Sequence, residues 1–429
     1  MIRKRAVASW ILYDLANTIF SMGVVSVYFS LYVREAVGSQ RADIVYGIIT
    51  AVSMGIIFII SPLLGALSDR ARRRMPFLLW STLICCACTA LFARGVFAVS
   101  AVLFIVANAA YQAGVQFYDA LLPEVTTEAN RGRIGGVGVG VGYLGSYIAV
   151  GIGLLFSTMD YALYFTIVAA AFLVFAIPCL LFVRERGNPH PQPILGLGVI
   201  RESTRQTFET LRLGHRYPGL LRFLIGRIFY TDAVNTVIAF MSLYTANVAA
   251  STGLNPLEGK AQAGYVMLSA ISFAVVGGFV WGWVVDRIGP KRTLTIVLYL
   301  WMATFAMASA IGLLRLPIGY LYVVACLAGI ALGGTWSADR PYMLRLTPPD
   351  RVGEFYGLYG MVGRFSAITG PVLWAATTYI TVERSGMSEL TGQAWAIVTL
   401  LLMVVASCVI LRKVTDEPRN WDALRSTAA

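Results

Sequence analysis

The chain has 429 residues, 58% of them hydrophobic and 13% charged, with a net charge of +12 and a mean hydropathy of +0.71. That composition excludes a soluble globular fold, and at roughly 20 residues per bilayer crossing the length accommodates about 12 spans with short loops and one longer connector. In a soluble chain the basic excess would raise nucleic-acid binding; here the charges cluster between apolar runs, so the bilayer is the expected partner and nucleic acid is not.

Six apolar runs come first: 8–33, 45–67, 77–93, 96–122, 134–156 and 161–183. Met1 to Arg5 has the look of a signal-peptide n-region, but Asp14 and Asn17 interrupt the following run and no small-residue cleavage site appears, so it is read as a retained first span. A polar stretch with Pro189, Pro191 and Pro193 and both histidines, His190 and His215, then precedes six more runs. These cover about 220–246, 261–285, 293–314, 318–342, 355–382 and 393–411. The expected fold is an all-α membrane protein: an N-terminal six-helix bundle (1–186), a connector (187–217) and a C-terminal six-helix bundle (218–429).

Lys and Arg in alternate loops give the orientation, because cytoplasmic loops carry the excess. With both termini cytoplasmic, 26 basic residues fall on the cytoplasmic side, 6 on the other, and Arg227 and Arg364 inside spans. Both termini and the connector are therefore expected in the cytoplasm; the bare N-terminus and short loops suit a bacterial inner membrane.

The halves repeat each other. Asp14 and Asn17, near Tyr13, recur as Asp232 and Asn235, near Tyr230. Gly65, Asp69, Arg70 and Arg74 recur as Gly282, Asp286, Arg287 and Lys291, and Asp119 and Arg131 as Asp339 and Arg351. Landmarks in one order at a nearly constant offset indicate duplication, and an even number of spans per half makes the repeats parallel.

Ionisable groups inside spans are expensive in hydrocarbon, so they default to a cavity or a partner. Asp14 with Asn17, and Asp232 with Asn235, share a helix face at spacing three. They either bind substrate or a proton, or tie helices together. Arg364 has the uncharged Leu144 as its first-half counterpart and either attracts an anionic group or neutralises Asp14 or Asp232. Arg227, nearer the cytoplasmic end, is read as snorkelling. Asn108, Gln112 and Gln116 make a polar stripe on span four, a cavity wall or a helix contact, and Trp336 offers an aromatic wall. The glycines of span five, Gly135 to Gly145, lack a preceding strand and a Lys-Ser/Thr pair, so close helix packing is expected rather than a phosphate loop. Six cysteines lie in apolar segments without metal-ligand spacing, and neither histidine lies in a span, so no metal site, cofactor or enzyme activity is expected.

The stretch GALSDRARRR (65–74) resembles the loop signature of the major facilitator superfamily, and GWVVDRIGPKR (282–292) resembles it again; the first copy has Arg72 where the signature has glycine. SWILYDLANTIF (9–20), DALLPEV (119–125), GYLGSY (142–147) and DRPYMLRLTPPDRVGEFYGLYG (339–360) resemble the vacuole effluxer-like branch, which includes fungal autophagy-related effluxers implicated in amino-acid release. The resemblance implies the major facilitator fold and alternating access. It implies a cavity lined by spans one, four, seven and ten, and a cytoplasmic gate at the signature loops: Gly65, Asp69, Arg70, Arg74, Asp119 and Arg131 with Gly282, Asp286, Arg287, Lys291, Asp339 and Arg351. The expected activity is secondary transport of a small organic solute by a monomer, the candidates being amino acids moved outward and coupled to protons. A non-transporting sensor and a lipid or lysolipid carrier are the alternatives.

Overall fold

The computed structural model describes residues 4–155, 160–194, 196, 198–199, 201–205, 217–417, 419 and 421. The middle of the connector, with His215, lies outside the described residues.

Apolar runs of bilayer length become helices because no water is present to satisfy an open backbone. Span one runs Lys4–Val37, span two Ser39–Arg70, span three Met75–Ala90, span four Phe97–Ala120, span five Arg131–Leu155 and span six Tyr161–Phe182. Spans seven to twelve are Leu220–Ser251, Pro256–Ile288, Pro290–Leu314, Gly319–Arg345, Val352–Thr378 and Glu389–Leu411. Among the described residues eleven helices are long and apolar enough to cross a membrane, and span three is a shorter apolar helix of 16 residues. Local chemistry sets several ends. Pro76, Pro256 and Pro290 occupy first-turn positions where a missing N–H costs nothing, and Asn255 with Glu258 forms a reciprocal capping box at 2.9 and 3.0 Å.

The chain forms two compact units. Unit 1 comprises Met1–Arg212 with Thr347–Met361, and unit 2 comprises Leu213–Leu346 with Val362–Ala429. In unit 1 span six packs on spans one and three, and span four on spans two and three. Unit 2 repeats the pattern: span twelve packs on seven and nine, span ten on eight and nine. The duplication legible in the landmarks is thus a duplication of helix pairing.

Glycines set the closest approaches. A side chain at Gly145 would meet the Leu15 carbonyl at 2.5 Å and Thr18 Cβ at 3.0 Å, and one at Gly138 would meet the Trp10 ring at 2.9 Å. Span five therefore uses its glycines to seat span one, the packing role expected of them. In unit 2, Gly333 of span ten meets Gly278 and the Ala274 carbonyl of span eight backbone to backbone. Span one also contains a π-helical stretch, Ser21–Tyr28, whose Val25 carbonyl accepts from the Tyr46 hydroxyl. The wider turn leaves carbonyls off the regular ladder, and a side-chain donor supplies the partner. Beyond it Phe29, Phe92, Phe104 and Phe165 make an aromatic core, with Phe29 stacked on Phe104 at 4.1 Å.

Candidate functional site

The first signature loop builds a clamp inside unit 1. Asp69, in the last turn of span two, accepts from Arg74 Nη2 at 2.7 Å and from the backbone N–H groups of Gly353 and Glu354, each at 2.7 Å. Those N–H groups belong to the first turn of span eleven, which has no intrahelical acceptor for them and carries the positive end of the helix dipole. A carboxylate there makes charge-assisted bonds and needs no further counter-charge. The signature glycine has a geometric reason: a side chain at Gly65 would strike the Gly353 peptide, and one at Gly353 would strike Ser68 Oγ and the Gly65 carbonyl. Span two and the start of span eleven touch through bare backbone. One turn inward, Gln116 Nε2 donates to the Ser61 carbonyl at 3.0 Å, and the Ser61 hydroxyl lies 2.6 Å from Gln116 Oε1 and 3.0 Å from the Gly357 carbonyl. Gln116 therefore joins the clamp's neighbourhood. Ser61, Gly353 and Glu354 escaped sequence reading, because only the fold brings span eleven against span two.

The connector is fastened to the same loop. Asn188 donates its backbone N–H to the Arg72 carbonyl at 2.9 Å and its amide to the Asp69 carbonyl at 2.8 Å, and Gln192 N–H reaches the Arg70 carbonyl at 2.9 Å. Arg72 does not adopt positive φ, whereas Gly289 at the matching place in the second copy has φ 86°. The first turn is built without a left-handed residue, so arginine fits where the signature has glycine. Glu185, just after span six, accepts the N–H of Met75 at 2.7 Å and caps span three. Asp416, just after span twelve, accepts the N–H of Lys291 at 3.0 Å and caps span nine. Each half thus ends in an acid that closes its own signature loop. Glu185→Gln and Asp416→Asn are each expected to cost about 1 kcal/mol, the usual worth of a cap, read as a lowered midpoint of thermal unfolding in detergent.

The span-one and span-four residues lie in unit 1. Asp14 is buried with its carboxyl 3.4 Å from where Gly138 and Gly142 of span five would carry side chains. Trp10 and Tyr13 sandwich the buried Tyr118 ring at 4.5 and 5.1 Å, so Tyr118 is a packing residue. Asn17 and Asn108 are 5% and 0% exposed, and neither amide group finds a hydrogen-bond partner among the described residues. Phe20 and Tyr111 meet at 4.8 Å, one turn from each asparagine. Gln112 is half-buried and Asp119 buried.

In unit 2, Arg227 does not snorkel. Its Nε donates to Asp339 Oδ2 at 3.0 Å, both side chains are buried, and the Tyr230 hydroxyl donates to Asp339 Oδ1. Burial among three helices removes the water a snorkelling head would seek, so an acid from span ten takes its place. Gly363 of span eleven leaves room for the guanidinium: a side chain there would meet Nη1 at 3.0 Å. Asp232 is 0% exposed and accepts from the Thr369 hydroxyl and, at 2.7 Å, from the Gly370 N–H; it makes no ion pair among the described residues. Arg364 is buried on span eleven, while Asn235 and Trp336 are half-buried. Gly282 is buried at the second signature loop, where Asp286 is half-buried. Arg287 lies over the Trp283 ring at 3.4 Å and Lys291 Nζ reaches the Arg412 carbonyl at 3.2 Å. Arg131 and Arg351 are half-buried, and Arg351 lies 3.8 Å from the buried Glu354. Among the described residues no three or more His, Cys, Asp or Glu side chains group together as they would to hold a metal ion.

The amino-acid sequence that forms this duplicated six-helix pairing matches the profile of the Major Facilitator Superfamily over residues 15–371 and 233–427. The chain belongs to the Major Facilitator Superfamily. It is a multi-pass integral membrane protein with the fold of a transporter. It is similar to an uncharacterized MFS-type transporter, YxiO, of Bacillus subtilis (strain 168), 26% identical across 95% of this chain and 94% of the relative. It is also similar to autophagy-related protein 22 of Gibberella zeae, 26% identical over 59% of this chain and 40% of that protein. Among solved structures it shares its fold with a bacterial homologue of the iron transporter ferroportin in an outward-facing state, at TM-score 0.70 and 14% identity over 98% of this chain and 100% of that one. The human organic anion transporter MFSD10 shares it at TM-score 0.68 and 16% identity over 95% and 98%.

Proposed function

We propose that this superfamily member exports a small organic solute by alternating access, with amino acids as the first class to test. The basic loops would face the cytoplasm of a bacterial inner membrane, where the Asp69 clamp on span eleven would act as a gate. The observation that carries solute binding is the pair of buried, unpartnered amides of Asn17 and Asn108. A buried amide without a partner is costly and rare, and a polar solute supplies the missing donors and acceptors. Each lies one helical turn from the Phe20–Tyr111 contact, so both amides flank the same meeting of spans one and four. In unit 1, Asp14, Gln112 and Gln116 complete the proposed lining; in unit 2, Asn235, Trp336 and Arg364 are separately proposed as solute contacts, and proton movement on Asp14 or Asp232 is the proposed coupling, since a carboxylate exchanges protons as its hydration changes.

The test is flux in proteoliposomes against an amino-acid panel, with and without a pH gradient. Asn17→Ala and Asn108→Ala are each expected to raise KM about 10-fold, the worth of one or two lost hydrogen bonds, and Asp14→Asn and Asp232→Asn to abolish the response to the gradient. Unchanged KM in both asparagine variants would overturn the site, and unchanged pH-dependent flux in both aspartate variants would overturn the coupling. One observation favours a sensor as second reading: the connector is bonded directly to the Asp69 loop. Saturable binding without any flux would support it.

A further inference from the structure

We propose that unit 2 contains a binding site for one monovalent cation, formed by Asp232 and Thr236 of span seven with Thr369 and the Ala367 carbonyl of span eleven. For its role in transport the site rests on the function proposed above; its binding chemistry does not.

Asp232 lies near the middle of span seven and is fully buried, yet its partners are a hydroxyl and a peptide N–H, both neutral. A carboxylate at such depth is costly unless a positive charge joins it. The charged groups on the surrounding spans do not supply one. Arg227 of span seven is committed to Asp339 of span ten. Arg340 of span ten and Arg364 of span eleven have interactions of their own, and Arg345 of span ten reaches Asp416. Spans eight, nine and twelve carry charged residues only in or next to their terminal turns. The tyrosines of span seven, Tyr230 and Tyr244, are engaged with Asp339 and the Ala308 carbonyl.

A second observation points to a ligand at the same spot. Thr236, one turn after Asp232 on the same face, is 1% exposed, and its hydroxyl has no hydrogen-bond partner among the described residues. It and Asp232 Oδ1 converge on one point: a side chain at Gly370 would collide with both. Glycine at 370 is what lets two oxygens of span seven approach the backbone of span eleven. The next residue, Pro371, lies inside the helix and has no N–H to give the carbonyl of Ala367 one turn earlier. Thr369 adds its hydroxyl.

The donor set is a carboxylate, two hydroxyls and a peptide carbonyl released by an interrupted ladder. All are hard oxygen donors, without nitrogen or sulfur, which selects an alkali-type cation over a transition metal. Backbone carbonyls at helix interruptions serve sodium or protons in other transporter folds. The two ions share the relevant chemistry, one positive charge that neutralises Asp232. A proton on the carboxyl finds its acceptor in Thr236 Oγ or the Ala367 carbonyl, and sodium takes the same oxygens as ligands.

The test is thermal unfolding of the purified full chain in detergent. Sodium, lithium and potassium chlorides are compared with choline chloride at pH 8 and fixed ionic strength, and choline at pH 8 with choline at pH 5.5. Wild type is expected to gain about 2–5 °C at saturating ion, from sodium if sodium is the occupant or from acidification in choline if the proton is. Asp232→Asn is expected to lose that gain, and Thr236→Val, which keeps the carboxylate, to need at least 10-fold more ion for it. The site is overturned if wild type responds to neither ion, or if both variants respond as wild type does. Should Asp232→Asn fail to fold, Thr236→Val and the wild-type ion response decide the matter. Solute counterflow by wild type, which needs no ion gradient, separates the readings: an ion-dependent gain without counterflow of any solute sinks the transport function and leaves the cation site standing.

Discussion

Replacing Arg227 by alanine is expected to destabilise unit 2 by about 3–5 kcal/mol, the range for breaking a buried ion pair by removing one partner. The penalty comes less from the lost attraction than from what stays behind. Asp339 is 0% exposed and would be left with the Tyr230 hydroxyl as its remaining named donor. The prediction separates from a simple loss of packing through the double variant Arg227→Met with Asp339→Leu, which removes both charges while keeping bulk. That variant is expected to recover most of the single variant's loss, because replacing a whole buried pair by apolar groups is often neutral. Thermal unfolding in detergent reads both. A single variant as stable as wild type would mean that the pair is solvated, and a double variant no better than the single would assign the effect to shape.

Asp69→Asn is the second large effect, and it should be local. The carboxylate accepts two backbone N–H groups at the start of span eleven and the Arg74 guanidinium. Bonds to a charged acceptor contribute about 1.5–3 kcal/mol each. Asparagine retains one acceptor oxygen and introduces a donor facing other donors. The amides of Gly353 and Glu354 are expected to exchange with deuterium 10- to 100-fold faster in the variant, equivalent to about 1.4–2.8 kcal/mol, while span seven and span twelve amides keep their protection. Arg74→Lys, which preserves charge but not the guanidinium geometry, should show a smaller change in the same direction. Exchange at Gly353 and Glu354 unaltered in Asp69→Asn would mean that the contact between Gly65 and Gly353 holds the turn without the acid.

Much of this protein was open to inspection in one dimension. Apolar runs near bilayer length located the spans, and the recurrence of Asp14, Asn17 and Asp69 as Asp232, Asn235 and Asp286 announced the duplication that helix pairing bears out. Span three is the place where hydropathy overreached, since its helix stops at Ala90 and the chain turns with Ala93 at φ 58°. Arg227 misled because a basic residue near a span end ordinarily reaches for the interface, and its partner lies 112 residues away. Pseudo-symmetry also says less than it promises. The equivalent acids Asp14 and Asp232 share a sequence pattern, yet one lies against the span-five glycines and the other holds the backbone of span eleven.

Composition and pattern by themselves determined the membrane class, the helical state of the chain and its internal repeat. Each follows from constraints that act locally: about 20 apolar residues cross a bilayer, and hydrocarbon leaves the backbone no partner but itself. Partner choice was decided only by tertiary structure. Asp69 meets Gly353 across 284 residues, Thr347–Met361 joins the first unit although it is encoded in the second half, and Asp232 finds Gly370 across 138 residues. A contact between helices depends on the rotation and depth of both, which glycine-sized gaps and whole-bundle packing set together, and no window along the sequence contains those variables.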